Sequence, residues 1–324
     1  MNGIALSFDK RNPTFAFMTR ILTAFFFLIL FESCFLFGSD GGADKPPLIQ
    51  PEVPLPEFLS TPASHLITPG IIDEASGIVA SKSIPNSLWV IENGNTSPSL
   101  HLLSTLGEYK GKIDLPLFNR DWEDLSSGPG PIEGQNYLYI SDTGDNAAVH
   151  GKYIIYFLKE PRSLDDTDWD LEAVDFKYSD VDALDVEAMF VDPGSRDIYL
   201  ISKRQLFSVR VYKIAFPYDL ELENTAVFQG SIPLSFITAA DISSDGRQIM
   251  IKDQNAIFYW RRQEFESIYE ALSRNRDVGA PYFVEPQGEA ICFDIESSGY
   301  YTLSERASAP QVSLNYYQRK VVEN

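Results

Sequence analysis

Short apolar runs, broken by Gly, Pro, Asn and Asp, recur in ordered sets along the chain from about residue 73 onward. Each set opens on an apolar segment that carries one polar residue just before its first core position. The five openings are Ala75-Ser76-Gly77-Ile78, Trp122-Glu123-Asp124-Leu125, Val186-Glu187-Ala188-Met189, Ala239-Ala240-Asp241-Ile242 and Gly288-Glu289-Ala290-Ile291. A turn then leads to a second, more apolar run ending in charge, at 88–92, 138–142, 199–203, 249–253 and 301–305. Third runs follow at 100–103, 153–158, 209–214, 257–260 and 312–317, and a fourth is weaker, as at 174–178. Val, Ile, Tyr, Phe and Thr dominate these runs, which is the composition of strands joined by tight turns.

The openings, taken at 76, 123, 187, 240 and 289, lie 47, 64, 53 and 49 residues apart. Repeats of about 40–50 residues with four strands each are the signature of propeller blades. The pattern therefore predicts an all-β fold, a five-bladed β-propeller. A six-bladed ring with one degenerate blade inside the 64-residue unit is the alternative. Only 35 residues follow Glu289, too few for a full fourth strand. Residues 58–72 are expected to supply it and so remove an exposed edge. One inserted helix is predicted where Phe265, Ile268, Tyr269 and Leu272 share a face, packed on the fourth blade.

Ahead of this body, residues 1–37 read as a signal peptide, lipoprotein signal or N-terminal anchor. Lys10, Arg11 and Arg20 precede an apolar run at 21–30, with a second possible start at Met18. Phe31-Glu32-Ser33-Cys34 is close to a lipobox, with Cys34 as the lipidated residue. An uncleaved span at 21–37 and ordinary cleavage are the other readings. All three place the body outside the cytoplasm, at the cell envelope, touching a membrane only through its N-terminus. Residues 38–57 are a Pro/Gly-rich linker, and 58–324 form the propeller domain, expected to be a monomer.

The formal charge of -20 argues against nucleic acid and against an anionic membrane face. With Cys34 lipidated or removed, Cys292 stands alone in an apolar run and is expected to be a buried, inert thiol. His65, His101 and His150 are scattered without metal-ligand spacing, so zinc chemistry has no support.

The candidate chemistry lies in the repeated polar position. Inner strands of a propeller start beside its axis, so Ser76, Glu123, Glu187, the Ala240-Asp241 step and Glu289 are expected to ring one point. At ~5 Å and an effective dielectric of ~20, each pair of carboxylates costs about 3 kcal/mol, on the order of 10 kcal/mol for three glutamates. Either these groups are protonated or a cation sits among them. Oxygen-only ligands favour Ca²⁺ over zinc, and over Mg²⁺ less strongly. The plainer alternative is that the glutamates bond backbone amides or nearby basic residues in a solvated channel.

The strings EASGI, NRDWEDLSSGPGP, YLYISDTGDN, VEAMFVDP, YLISK, ADISSDG and PQGEAI with YYTLSE cover about residues 73–306 in order. They resemble a family of uncharacterised bacterial secreted propellers. The layout is similar to the SdiA-regulated envelope proteins and, more distantly, to the calcium-activated nucleotidases (apyrases), which are five-bladed. The resemblance implies a central calcium held by inner-strand residues in the order Ser, Glu, Glu, Ser, Glu. Here Ser76, Glu123, Glu187, Ala240 and Glu289 would correspond. Ala240 departs from that order, so Asp241, a backbone carbonyl or water must substitute.

Turns between second and third strands fall on the same face as the inner-strand starts. Glu92, Asn93, Asp142, Asp145, Asn146, Lys203, Arg204, Asp253, Glu305 and Arg306 are thus expected to rim one mouth of the channel and bind a ligand there. The alternative is ordinary solvated turns. Asp142-Thr143-Gly144 matches the triplet of aspartic proteases, but that chemistry needs a second triplet, and none exists. Two functions remain: a binding module for a small-molecule or protein ligand with calcium as a pin, or a calcium-dependent hydrolase of phosphate esters or nucleotides.

Overall fold

The computed structural model describes residues 54–94 and 96–321, all within the compact unit Val53–Asn324. The export segment 1–37 with Cys34, and linker residues up to 53, lie outside the described residues. No helix among the described residues is long and apolar enough to cross a membrane.

A short strand β1 (Ala63–Leu66) precedes a series of antiparallel meanders. The first is β2 (Ala75–Ala80), β3 (Ser87–Glu92), β4 (Ser99–Ser104) and β5 (Tyr109–Asp114). The second is β6 (Trp122–Pro129), β7 (Asn136–Asp142), β8 (Tyr153–Lys159) and β9 (Glu172–Tyr178). The third is β10 (Val186–Val191), β11 (Ile198–Ser202), β12 (Val209–Ile214) and β13 (Asn224–Ile232). The fourth is β14 (Ile237–Ile242), β15 (Gln248–Asp253), β16 (Ile257–Arg261) and, after helix α1 (Ile268–Ser273), β17 (Val278–Ala280). The last is β18 (Gln287–Phe293), β19 (Gly299–Glu305) and β20 (Ser313–Gln318).

The last meander is completed from the other end of the described chain. β1 pairs antiparallel with β20, Ala63 opposite Tyr316 and Leu66 opposite Ser313, and Phe58 bridges Arg319. The expected closure by residues 58–72 is therefore present. The second and third meanders share one eight-stranded sheet, because their outer strands β9 and β13 touch in parallel at Phe176–Asn224 and Tyr178–Ala226.

Burial follows strand position. First and second strands are buried on both faces, as in β2 and β3, whereas the outer strand β9 alternates buried with more exposed positions and β5 is mostly exposed. That is why the inner runs read as continuously apolar and the fourth runs read weakly. The first strands pack side by side in a closed cycle, β2 on β6, β6 on β10, β10 on β14, β14 on β18, and β18 back on β2. An apolar cluster fills each gap between successive sheets. Trp89, Ile91 and Leu100 meet Trp122, Leu125 and Leu138 in one of them, and Ile72, Ile78 and Val90 meet Ala290, Cys292 and Leu303 in another. The fold is all-β and propeller-like.

The helix is where predicted but turned differently. Ser267 and Glu270 form a reciprocal cap, and Ile268, Ala271 and Leu272 are buried against β13 and β16, between the third and fourth meanders. Phe265, expected on the packed face, precedes the cap and is 98% exposed. Cys292 is fully buried, and burial pushes its thiol well above the ordinary value, as expected of an inert side chain.

Candidate metal centre

Every first strand carries a β-bulge near its start, one residue into the strand in four of them and two residues in for β18. The register skips between Ala75 and Gly77, Trp122 and Asp124, Val186 and Ala188, Ile237 and Ala239, and Gly288 and Ala290. The bulged residues are Ser76, Glu123, Glu187, Thr238 and Glu289. A bulge leaves its residue without a cross-strand partner and re-aims the side chain. Three of these side chains converge: carboxylate oxygens of Glu123, Glu187 and Glu289 lie within 4.8 Å of one another, and all three residues are buried. Such a trio can hold a metal ion. Ser76 is fully buried and its hydroxyl has no hydrogen-bond partner. A buried orphan of this kind asks for a ligand.

The fourth position corrects the sequence reading. Neither Ala240 nor Asp241 occupies the bulge; Thr238 does. Asp241 lies three residues further along β14, roughly 10 Å at the rise of a strand. Its carboxylate accepts a hydrogen bond from Phe293 N at 2.7 Å and ties β14 to β18. Burial pushes that carboxyl up to about 7, against the N–H bonds of Phe293 and Ile242. Thr238 is buried, and its hydroxyl donates to Gly288 O at 3.0 Å, beside Glu289. Asp241→Asn is therefore expected to leave cation affinity within about twofold of wild type, because a carboxylate that touches the ion directly is worth far more than that. A tenfold loss in titration calorimetry would return Asp241 to the ring.

Asp124, next to the Glu123 bulge, was not singled out by sequence. It is fully buried and accepts from Leu125 N at 2.8 Å, Met189 N at 2.8 Å and Ala240 N at 3.4 Å, so one carboxylate ties β6, β10 and β14 together. Gly144 explains the Asp-Thr-Gly triplet. A Cβ there would stand 2.2 Å from Glu123 Oε1 and 2.3 Å from Asp121 Oδ2. Only glycine lets the chain pass that close to the two carboxylates.

Of the ten residues expected at the mouth, few reach the ring. Lys203 does: its ammonium donates to Glu187 Oε2 at 2.6 Å and stands 3.8 Å from Glu289 Oε1. Glu305 does as well: its carboxyl feels the charge of Glu289 and accepts a hydrogen bond from Asn93 Nδ2 at 3.0 Å. The others shape hairpins. Glu92 accepts from Asp73 N and Glu74 N, and lies 3.3 Å from His101. Asp142 accepts from Asp121 N, and Asp145 from Val149 N, His150 N and the Tyr153 hydroxyl. Asp253 accepts from Asn255 N and Ala256 N. Arg204 is paired with Asp185 and Asn146, and Arg306 doubly with Asp73. Lys252, unremarked in the sequence, is fully buried behind Glu289 and donates to Gly288 O at 2.5 Å; burial pushes it down to about 8, against Glu285 and Glu289.

The electrostatics are those of crowded, dry acids. Burial first, then Glu187 and Asp121, push the Glu123 carboxyl well above its ordinary value. Burial carries Glu187 up to about 7 despite Lys203, and burial with Glu289 carries Glu305 up to about 8. Burial weakens the Lys203 ammonium, but Glu187 and Glu289 outweigh it and raise the net value.

These directions set a pH prediction. A folded-state value raised above the unfolded 4.5 means the folded chain keeps protons that the unfolded chain has released. Stability is then full near pH 4.5 and lost as pH rises through about 7 and about 8. In chelator, urea melts are expected to show on the order of 3 kcal/mol less stability at pH ~8.5 than at pH ~5.5. A flat or rising profile contradicts the assignment.

No protein-family model and no curated protein matches the chain. Among solved structures it is similar to Kuenenia stuttgartiensis hydrazine synthase, at 11% identity over 77% of this chain and 72% of that one, with a TM-score of 0.38. It is also similar to a functionally unknown protein from Desulfotomaculum acetoxidans DSM 771, at 11% identity over 72% of this chain and 66% of that one, with a TM-score of 0.37. At that distance neither bears on ligand or activity.

Proposed function

We propose that the chain is a five-bladed β-propeller that holds a calcium ion at the head of its channel and serves at the cell envelope as a binding module for a small-molecule or protein ligand. The observation that carries this reading is the convergence of Glu123, Glu187 and Glu289 within 4.8 Å, with the Ser76 hydroxyl buried and unpartnered on the neighbouring bulge. One ammonium, that of Lys203, offsets one of three charges. The rest must be met by protons or by a further cation. Oxygen donors with no sulfur or imidazole among them suit calcium.

Five blades rather than six is supported by the cycle of first strands and by the content of the long second unit. Between Glu123 and Glu187 lie only the strands β6 to β9 and their loops, with no further meander. Placement at the envelope rests on the sequence of residues 1–37 alone.

The hydrolytic alternative is the weaker reading. It needs free basic residues to hold a phosphate, and Arg204 and Arg306 are each engaged with a carboxylate. The test is thermal melting of the full chain with calcium, magnesium and chelator. Calcium at a hundred times its dissociation constant adds about 2.7 kcal/mol to a native state that alone binds it. A midpoint that ignores both calcium and chelator sinks the proposal, and phosphate release from a nucleotide panel would favour the hydrolase.

A further inference from the structure

The Lys203 ammonium already holds a carboxylate that a metal in the ring would need. Its Nζ lies 2.6 Å from Glu187 Oε2, a distance at which calcium itself binds carboxylate oxygen. It also faces Glu289 Oε1 at 3.8 Å, and its side chain is 12% exposed. A divalent ion shared by Glu123, Glu187 and Glu289 would draw on the same Glu187 carboxylate and stand close enough to that ammonium for the two cations to repel. Ion and ammonium compete for the ring.

The backbone of Lys203 is fixed from both sides. Its N–H donates to Asp185 O at 3.2 Å, and its carbonyl accepts from Phe236 N at 2.7 Å. What can move is the four-carbon stem, which has ample rotamer freedom to carry the ammonium elsewhere. A second carboxylate stands beside the ring to receive it: the point a Gly144 Cβ would take lies 2.2 Å from Glu123 Oε1 and 2.3 Å from Oδ2 of the half-buried Asp121.

We infer that Lys203 is the internal counter-ion of the glutamate ring and leaves it when a divalent cation enters, so that ammonium and metal hold the same carboxylates by turns. This rests on the reading of the ring as a cation site and adds its regulation. The ring is never left uncompensated, which lets the propeller fold before any metal arrives. Calcium must displace a bound charge to enter, which weakens its affinity and sets the site for the high calcium concentrations of extracellular modules.

Lys203→Met keeps the length of the stem and removes the charge. Calcium titration calorimetry on the purified full chain, wild type and variant, at one pH and ionic strength, reads the competition. The variant is expected to bind calcium at least tenfold more tightly than wild type. Equal or weaker binding by the variant, with wild type binding normally, overturns the exchange and leaves the cation site standing. Absence of calcium binding in both proteins removes the site and the exchange together. Since the variant loses the internal counter-ion and can fail to fold in chelator, the wild type supplies a second readout. Acetylation of Lys203 by acetic anhydride, followed by mass spectrometry, is expected to rise severalfold with saturating calcium while that of Lys252 stays low. Unchanged or reduced labelling of Lys203 overturns the inference.

Discussion

Glu187→Gln is expected to remove the stabilisation that calcium confers while leaving the calcium-free protein at least as stable as wild type at pH ~8. The two halves of this result have one cause. Glu187 is buried within 4.8 Å of two other carboxylates, and burial holds its carboxyl at about 7 even with Lys203 beside it. An amide of the same shape keeps the packing and can still accept from Lys203, but it takes a charge out of a crowded, water-poor place. Removing one of several like charges relieves the folded state. The same substitution takes a negative ligand from the cation, and a loss on the order of a hundredfold in affinity is about 2.7 kcal/mol. Melting curves in calcium and in chelator separate the halves. A variant that loses stability equally in both conditions marks Glu187 as a structural residue, and the metal reading fails with it.

Gly77→Ala is expected to cost about 3 kcal/mol or more and to weaken the cation site as well. Gly77 follows the Ser76 bulge and lies where β2 leans on β6. A Cβ there would stand 2.3 Å from Leu125 N and 2.9 Å from Asp124 C. Both atoms belong to the backbone of an adjacent, fully buried first strand, so no rotamer change can make room. The strands must separate, and overpacking in a core of normal density costs 1–3 kcal/mol or more. The displaced segments carry Ser76 on one side and Glu123 with Asp124 on the other, so the ring opens with them. Urea denaturation gives the first effect and calcium titration the second. A loss under about 1 kcal/mol would mean that these strands are not packed as described.

Much of this fold was readable in the sequence because its signals are local. The second runs end in charge where their hairpins turn, and β3, β7, β15 and β19 end on the residues that mark this, Glu92, Asp142, Asp253 and Glu305. The shortage of chain after Glu289 pointed to closure by an early strand, and β1 provides it. The ring register was readable at four bulges and misread at the fourth. Asp241 drew attention as an acid, but the tetrad apolar–polar–small–apolar, shared by the openings at Ala75, Val186 and Gly288, is Ile237-Thr238-Ala239-Ala240. A β-bulge shifts the register by one and has no residue type of its own, so only the pairing of Ile237 with Asp253 reveals it. Lys203 was assigned to the rim for a related reason. Strand position fixes where its Cα lies, whereas the direction its stem takes depends on Glu187 of its own meander and on Glu289 and Glu123 of two others. Asp121 and Lys252 carried no pattern at all.

The clasp between β1 and β20 has a consequence for how this molecule comes into being. Ser64 and Asn315, hydrogen-bonded across that pair, are 251 positions apart in the chain. During synthesis the early strand emerges long before its partner exists, and it must wait as an unpaired edge until β20 has been made. Contacts of such separation are slow to form, and waiting edges invite pairing with the wrong neighbour. Joining the last sheet therefore waits on the synthesis of every other sheet, and a chain that stops short of β20 has no ring to close.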